Sequence, residues 1–222
     1  MKSLKLLAAL LSYPTDELVA ALPEIARRLG EDRSLGHATQ NGLAGLLAEL
    51  RRDDLLDLQE RYVAQFDSGR STSLHLFEHV HGDSRDRGQA MVDLNAMYRR
   101  SGFVLAVNEL PDFLPAVLEY LANRPAEEVH ALLEDCAHIL RAVGERLISG
   151  GSPYAAVFAA LLELHGEAPL KAAKSGACAE PTLDEEWEEK PVEFGPPSGP
   201  NAAAAHGAQQ SRPQFIHFVP KQ

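Results

Sequence analysis

Residues 125–151, PAEEVHALLEDCAHILRAVGERLISGG, decide the class of fold. Val129, Leu132, Leu133, Cys136, Ile139, Leu140, Val143 and Leu147 recur every three or four positions, the period that places side chains on one face of an α-helix. Glu127, Glu128, Glu134, Asp135, Arg141 and Glu145 fill the other face. Pro125 suits a first helical turn, where no backbone donor is needed, and Gly150-Gly151 closes the segment. Cys136 falls on the apolar stripe and reads as core.

The same period extends outward in both directions. Downstream, Ser152-Pro153 opens a last helix through Val157, Phe158, Leu161 and Leu162. Upstream, Glu109-Leu110-Pro111-Asp112 turns into a helix from about Asp112 to Ala122. Leu4–Ser12 is a short helix ended by Tyr13-Pro14, and Thr15 or Asp16 caps a second that carries Leu18, Leu22, Ile25 and Leu29 up to Gly30. Pro23 inside that second pattern predicts a kink or a split, because proline removes a backbone donor. Gly42–Arg52 forms a third helix, and Asp53-Asp54 start a fourth through Leu58, Tyr62 and Phe66. Alternating strand patterns are nearly absent. The expected fold is all-α, a single globular helical bundle over residues 1–166.

Beyond Gly166 the composition changes. Residues 180–193 hold seven acids against one lysine, and 195–213 are mostly Pro, Gly, Ala, Gln and Ser. Ordering each residue costs roughly 1–2 kcal/mol of backbone entropy, and Leu183, Trp187, Val192 and Phe194 offer too little apolar surface to offset it. Residues 167–222 therefore read as a largely disordered tail. Its end, Phe215-Ile216-His217-Phe218-Val219 within the apolar segment 214–219, reads as a short docking segment or merely a sticky terminus.

A formal net charge of −11, from 32 acids and 21 bases, argues against a nucleic-acid binder and against docking onto anionic lipid. It suits a basic partner. The two cysteines, Cys136 and Cys178, make neither a disulfide framework nor a zinc spacing. The start, MKSLKLLAALLSYPTDEL, lacks a cleavage pattern after its short apolar run, and nothing approaches the ~20 apolar residues of a membrane span. The expectation is a soluble, reducing, cytoplasmic protein without direct membrane insertion.

One stretch is poorly explained by packing: residues 62–94, YVAQFDSGRSTSLHLFEHVHGDSRDRGQAMVDL. Three histidines (His75, His79, His81) stand within seven residues, flanked by Arg70, Glu78, Asp83, Arg85, Asp86 and Arg87. Leu74–Val80 reads as a short helix stopped at His81-Gly82, and Asp83 or Ser84 as the cap of a longer one through Met91, Leu94 and Tyr98. His75-Leu-Phe-Glu78-His79 fits the H-x-x-E-H pattern of one zinc peptidase class, in which two imidazoles share a metal and the glutamate acts as base. No later acid announces itself as a third ligand, and no P-loop or G-x-S-x-G occurs. The bland alternative is a polar corner whose charges satisfy one another. A helical domain with such a band and an acidic surface is also able to take a partner's peptide helix between its own helices.

Three motifs point further. Tyr62 and Phe66-Asp67 followed by SLHLFEHVHGDSRDRGQAM from Ser73 to Met91 resembles the NarJ-type assembly chaperones of respiratory nitrate reductase. Glu109-Leu-Pro-Asp-Phe-Leu114 resembles the E-x-P-D-H-L stretch of the wider TorD/DmsD-type family, and Ser152-Pro-Tyr-Ala155 fits the NarJ pattern. Phe113 stands where many of that wider family have histidine, so that histidine's role does not transfer. The resemblance spans roughly residues 3 to 165. It implies a non-catalytic cytoplasmic chaperone with no cofactor or metal of its own. It further implies that the partner is the apo catalytic subunit of the nitrate reductase, including its N-terminal segment, held for molybdenum cofactor and iron–sulfur insertion before membrane attachment, with room for cofactor-delivery proteins as further partners. Joined to the residues, it makes 70–93 the expected client site. Leu76, Phe77 and Tyr98 are its anchors, Glu78, Asp83 and Asp93 its acids for basic client residues, and Arg70, Arg85 and Arg87 orient those acids. His75, His79 and His81 titrate near neutrality and would weaken a basic client when protonated. The alternatives are a zinc hydrolase built on 75–79 and a generic helical adaptor.

Overall fold

A computed structural model describes residues 2–81, 86–105 and 109–171. Among these, the chain forms α1 (Lys2–Leu10), α2 (Asp16–Gly30), α3 (His37–Arg52), α4 (Leu55–Phe66), a 3-10 turn (Arg70–Thr72), α5 (Leu76–His81), α6 (Asp86–Arg100), α7 (Leu114–Ala122), α8 (Ala126–Ser149) and α9 (Ala155–His165). No helix among the described residues is long and apolar enough to cross a membrane. The class is all-α, as the periodicity requires. The acidic and Pro/Ala-rich stretches, Cys178 and the 214–219 segment lie outside the described residues.

The apolar N-terminal run becomes α1, which packs on α2, α7 and α9. Leu4, Leu7, Leu10 and Leu11 lose all solvent contact there, each worth about 1.5–3 kcal/mol relative to exposure. The Tyr62 hydroxyl donates to the Leu11 carbonyl at 2.8 Å, satisfying a carbonyl at the helix end. Helices α8 and α9 pack along one another, and α9 reaches across to α3. Almost every face of α9 is covered, so its sequence is apolar all round.

Two expectations change. Pro23 does not split α2: the helix runs unbroken from Asp16 to Gly30 with Thr15 as its cap. Pro23 faces solvent while Leu22, Ile25 and Leu29 are buried, so packing against α3 outweighs one missing donor. The helix expected from Asp112 begins at Leu114, because Asp112 is engaged elsewhere.

Loops are fixed by specific polar contacts. Glu163 on α9 reaches 127 positions back and accepts from the Gly36 backbone N–H at 2.8 Å, at the start of α3. A Cβ at Gly36 would meet that carboxylate at 2.7 Å, so a larger residue would have to push the Glu163 side chain out of this contact.

Candidate functional site

The polar stretch singled out in the sequence wraps around a buried carboxylate. Residues 74–76 lie antiparallel to 112–114, with His75 bridged to Phe113. The Leu114 N–H donates to the Leu74 carbonyl at 2.8 Å, and the Leu76 N–H to the Asp112 carbonyl at 3.1 Å. Asp112 itself is fully buried. One carboxylate oxygen accepts from the Phe77 N–H at 3.0 Å, in the first turn of α5, and the other lies 3.2 Å from His75 Nδ1. A buried acid is tolerable only when its oxygens are so occupied.

The imidazoles serve this corner. The Asp112 carboxylate holds the His75 imidazole above the usual histidine range, against a smaller opposing effect of burial. His75 stacks obliquely on Phe113 at 5.4 Å. His79 Nε2 sits 2.9 Å from the Ser73 carbonyl, and the Ser73 hydroxyl accepts from the His75 N–H at 3.2 Å. His81 packs edge-on to Phe77 at 5.6 Å. His75 and His79 thus spend ring nitrogens on the scaffold rather than converging on one point. No group of three His, Cys, Asp or Glu able to hold a metal occurs among the described residues, and that geometry gives the H-x-x-E-H spacing a structural role.

The charged residues lie at or near the surface. Glu78 on α5 pairs with Arg87 on α6 at 3.2 Å, both about a quarter exposed. Asp93 accepts from Gln89 at 3.0 Å on the solvent side of α6. Arg70 is exposed in the 3-10 turn. Asp83 and Arg85 lie outside the described residues. The expected anchors lie inward: Leu76, Phe77 and Tyr98 are 5%, 4% and 0% exposed. Tyr98 donates to the Pro111 carbonyl at 2.8 Å and packs on Tyr120 and Phe103. Apolar surface that does meet solvent nearby belongs to Val92, Val104 and Leu110, with Met91, Met97 and Phe103 half covered.

Asp112, which ties the corner together, escaped the residue-level reading, where it served as a helix start. Its signal is an acid inside the apolar run Leu110-Pro-Asp-Phe-Leu114. Among its described residues, the corner's polar groups are spent on holding its own backbone and side chains in place. Burial pushes the Cys136 thiol up to about 12, far from a reactive thiolate.

Comparison with known proteins adds a family. The family model described as nitrate reductase delta subunit matches residues 18–160. The nitrate reductase molybdenum cofactor assembly chaperone NarJ of Escherichia coli K12 is 41% identical over 231 aligned positions, covering 99% of this chain and 98% of that protein. The probable assembly chaperone NarW of the same organism is 38% identical across 87% of this chain and 84% of its own. A probable NarJ of Bacillus subtilis strain 168 is 32% identical over 70% of this chain and 84% of its length.

Proposed function

The chain belongs to the nitrate reductase delta-subunit family, and from that premise we propose that it is a maturation chaperone for a respiratory nitrate reductase. What carries this reading is the likeness to an assembly chaperone along 99% of the chain, together with a corner built for holding rather than for turnover. In this reading it works in the cytoplasm. It binds the cofactor-free catalytic subunit, including that subunit's N-terminal segment, and keeps it open to molybdenum cofactor and iron–sulfur insertion before membrane attachment.

The corner from Arg70 to Tyr98 is the client site. Glu78, Asp93 and Asp83 attract basic client residues, with Arg87, Arg70 and Arg85 setting the position of those acids. Leu76, Phe77 and Tyr98 form its floor and become contacts when α6 shifts; Val92 and the half-covered methionines of α6 meet the client's apolar face first. Methionine is suited to that task, being unbranched and adaptable. Protonating His75, which lies against Asp112 and within the field of Glu78, adds positive charge beside the acids and loosens a basic client, which makes release favoured at lower pH.

Titration calorimetry with a peptide of the client's N-terminal segment tests the site. Replacing Glu78 and His79 together should weaken binding; unchanged affinity would place the site elsewhere. Recovery of a cofactor-free nitrate reductase catalytic subunit with the tagged full chain tests the partner itself.

A further inference from the structure

The chain does not leave the bundle where α9 ends. Gly166 adopts a left-handed conformation (φ 88°), which glycine alone enters without steric cost. The Glu167 N–H then donates to the Leu162 carbonyl at 2.9 Å, and the chain turns back over α8. Arg141 on α8 meets it there. One guanidinium nitrogen donates to the Glu167 carboxylate and to the Ala168 carbonyl, both at 2.9 Å, and another reaches the Pro169 carbonyl at 3.5 Å.

One helical turn further along, Leu170 fills a notch. Gly144 sits inside α8, a poor place for glycine on propensity alone. A Cβ there would come within 2.7 Å of Leu170 Cδ1 and 3.0 Å of the Phe158 Cβ on α9. The absent side chain is the seat, shared by α8, α9 and the returning segment.

We propose that Glu167–Leu170 is a releasable strap. It closes the α8–α9 pair, and its release loosens the C-terminal turns of both helices. The fastening suits release. The Arg141–Glu167 pair is partly solvent-exposed, with side chains 27% and 40% accessible, so it is weak and screened by salt. Leu170 is only half covered. The strap therefore opens more readily than the helices beneath it.

Amide hydrogen exchange on the full chain, with limited proteolysis in parallel, provides the test. Arg141→Ala and Leu170→Asp should each speed exchange at residues 167–171 by roughly tenfold, and raise it in the last turns of α8 and α9, while α1–α3 stay unchanged. Gly144→Ala, despite the better helix former, should act in the same direction. Placed in a Leu170→Ala background, Gly144→Ala should add much less. Residues 167–171 exchanging at the open-chain rate in the unaltered protein would overturn the proposal. So would release confined to 167–171 with α8 and α9 untouched. If Leu170→Asp fails to fold, Arg141→Ala alone decides, since it sits on the surface of α8.

Discussion

Helices α9 and α6 are held by opposite means. Seven of the eleven residues of α9 are buried, from Ala155 to Leu164. Only Leu94 and Tyr98 are buried among the fifteen of α6. The first is fixed by apolar area, which is non-directional and tolerant of small shifts. The second depends on a few directed contacts: Tyr98 to Pro111, Arg87 to Glu78, and the carboxylate of Asp112 beneath α5. A chaperone needs both, a body that does not yield and a face that does. Regions that open locally come from the low-stability end of a fold.

The comparison breaks most sharply under two substitutions of similar cost. Leu161→Ala, in the wholly buried α9, should destabilise by about 2–5 kcal/mol through the cavity it leaves. Asp112→Ala should cost about 2–4 kcal/mol by stranding the Phe77 N–H and the His75 ring. Denaturant melts should show comparable losses. Peptide titration, performed well below both melting temperatures, should separate them: Leu161→Ala keeps its affinity, whereas Asp112→Ala loses about tenfold, equal to 1.4 kcal/mol. Equal affinity losses would mean that body and corner are not distinct.

A smaller effect sharpens the boundary of the body. Glu163→Ala removes the long-range acceptor for Gly36 and should lower stability by about 1–2 kcal/mol, with exchange rising first at the start of α3. Peptide binding should not move.

Titration should move folding stability and client binding in opposite directions. Because Asp112 raises the His75 pKa in the folded chain, that pair stabilises fully below the ordinary imidazole value near 6.5 and loses its contribution as pH rises through the higher folded value. The size is under about 1 kcal/mol, given the partial exposure of the ring. Melting temperature measured from acid to mildly alkaline pH should fall slightly across neutrality, and His75→Gln should remove that slope. Client affinity should run the other way and improve as pH rises. The two trends moving together would refute the assignment of the imidazoles to release.

The smallest stability change belongs to Glu78→Gln, since a partly exposed ion pair contributes under about 1 kcal/mol. Its effect on peptide binding should be larger than its effect on the melt. That inversion marks a residue kept for contact rather than for folding.

The difference between the regions also explains what could be seen in the chain beforehand. Periodic leucines announce α8 and α9 because burial leaves a regular imprint on one face. The 37-position link from His75 to Asp112 leaves none, so Asp112 looked like an ordinary helix start. Pro23 is a related case: a local rule about backbone donors predicts a split there, and the packing of Leu22, Ile25 and Leu29 keeps the helix continuous. Leu76, Phe77 and Tyr98 stand out as apolar residues in a polar stretch, yet that same contrast equally marks residues turned into the core. Function came from likeness to known chaperones. No spacing of residues in the corner names a nitrate reductase.

The hydrogen bond from Leu114 to Leu74 brings together the two ends of the stretch that carries α5 and α6. Residues 76–111 should be exchangeable between relatives, carrying partner preference with them, provided the newcomer supplies its own equivalents of Leu94 and Tyr98 and meets Asp112 at the seam. New specificity would then arise by changing the insert while the frame around it is left alone.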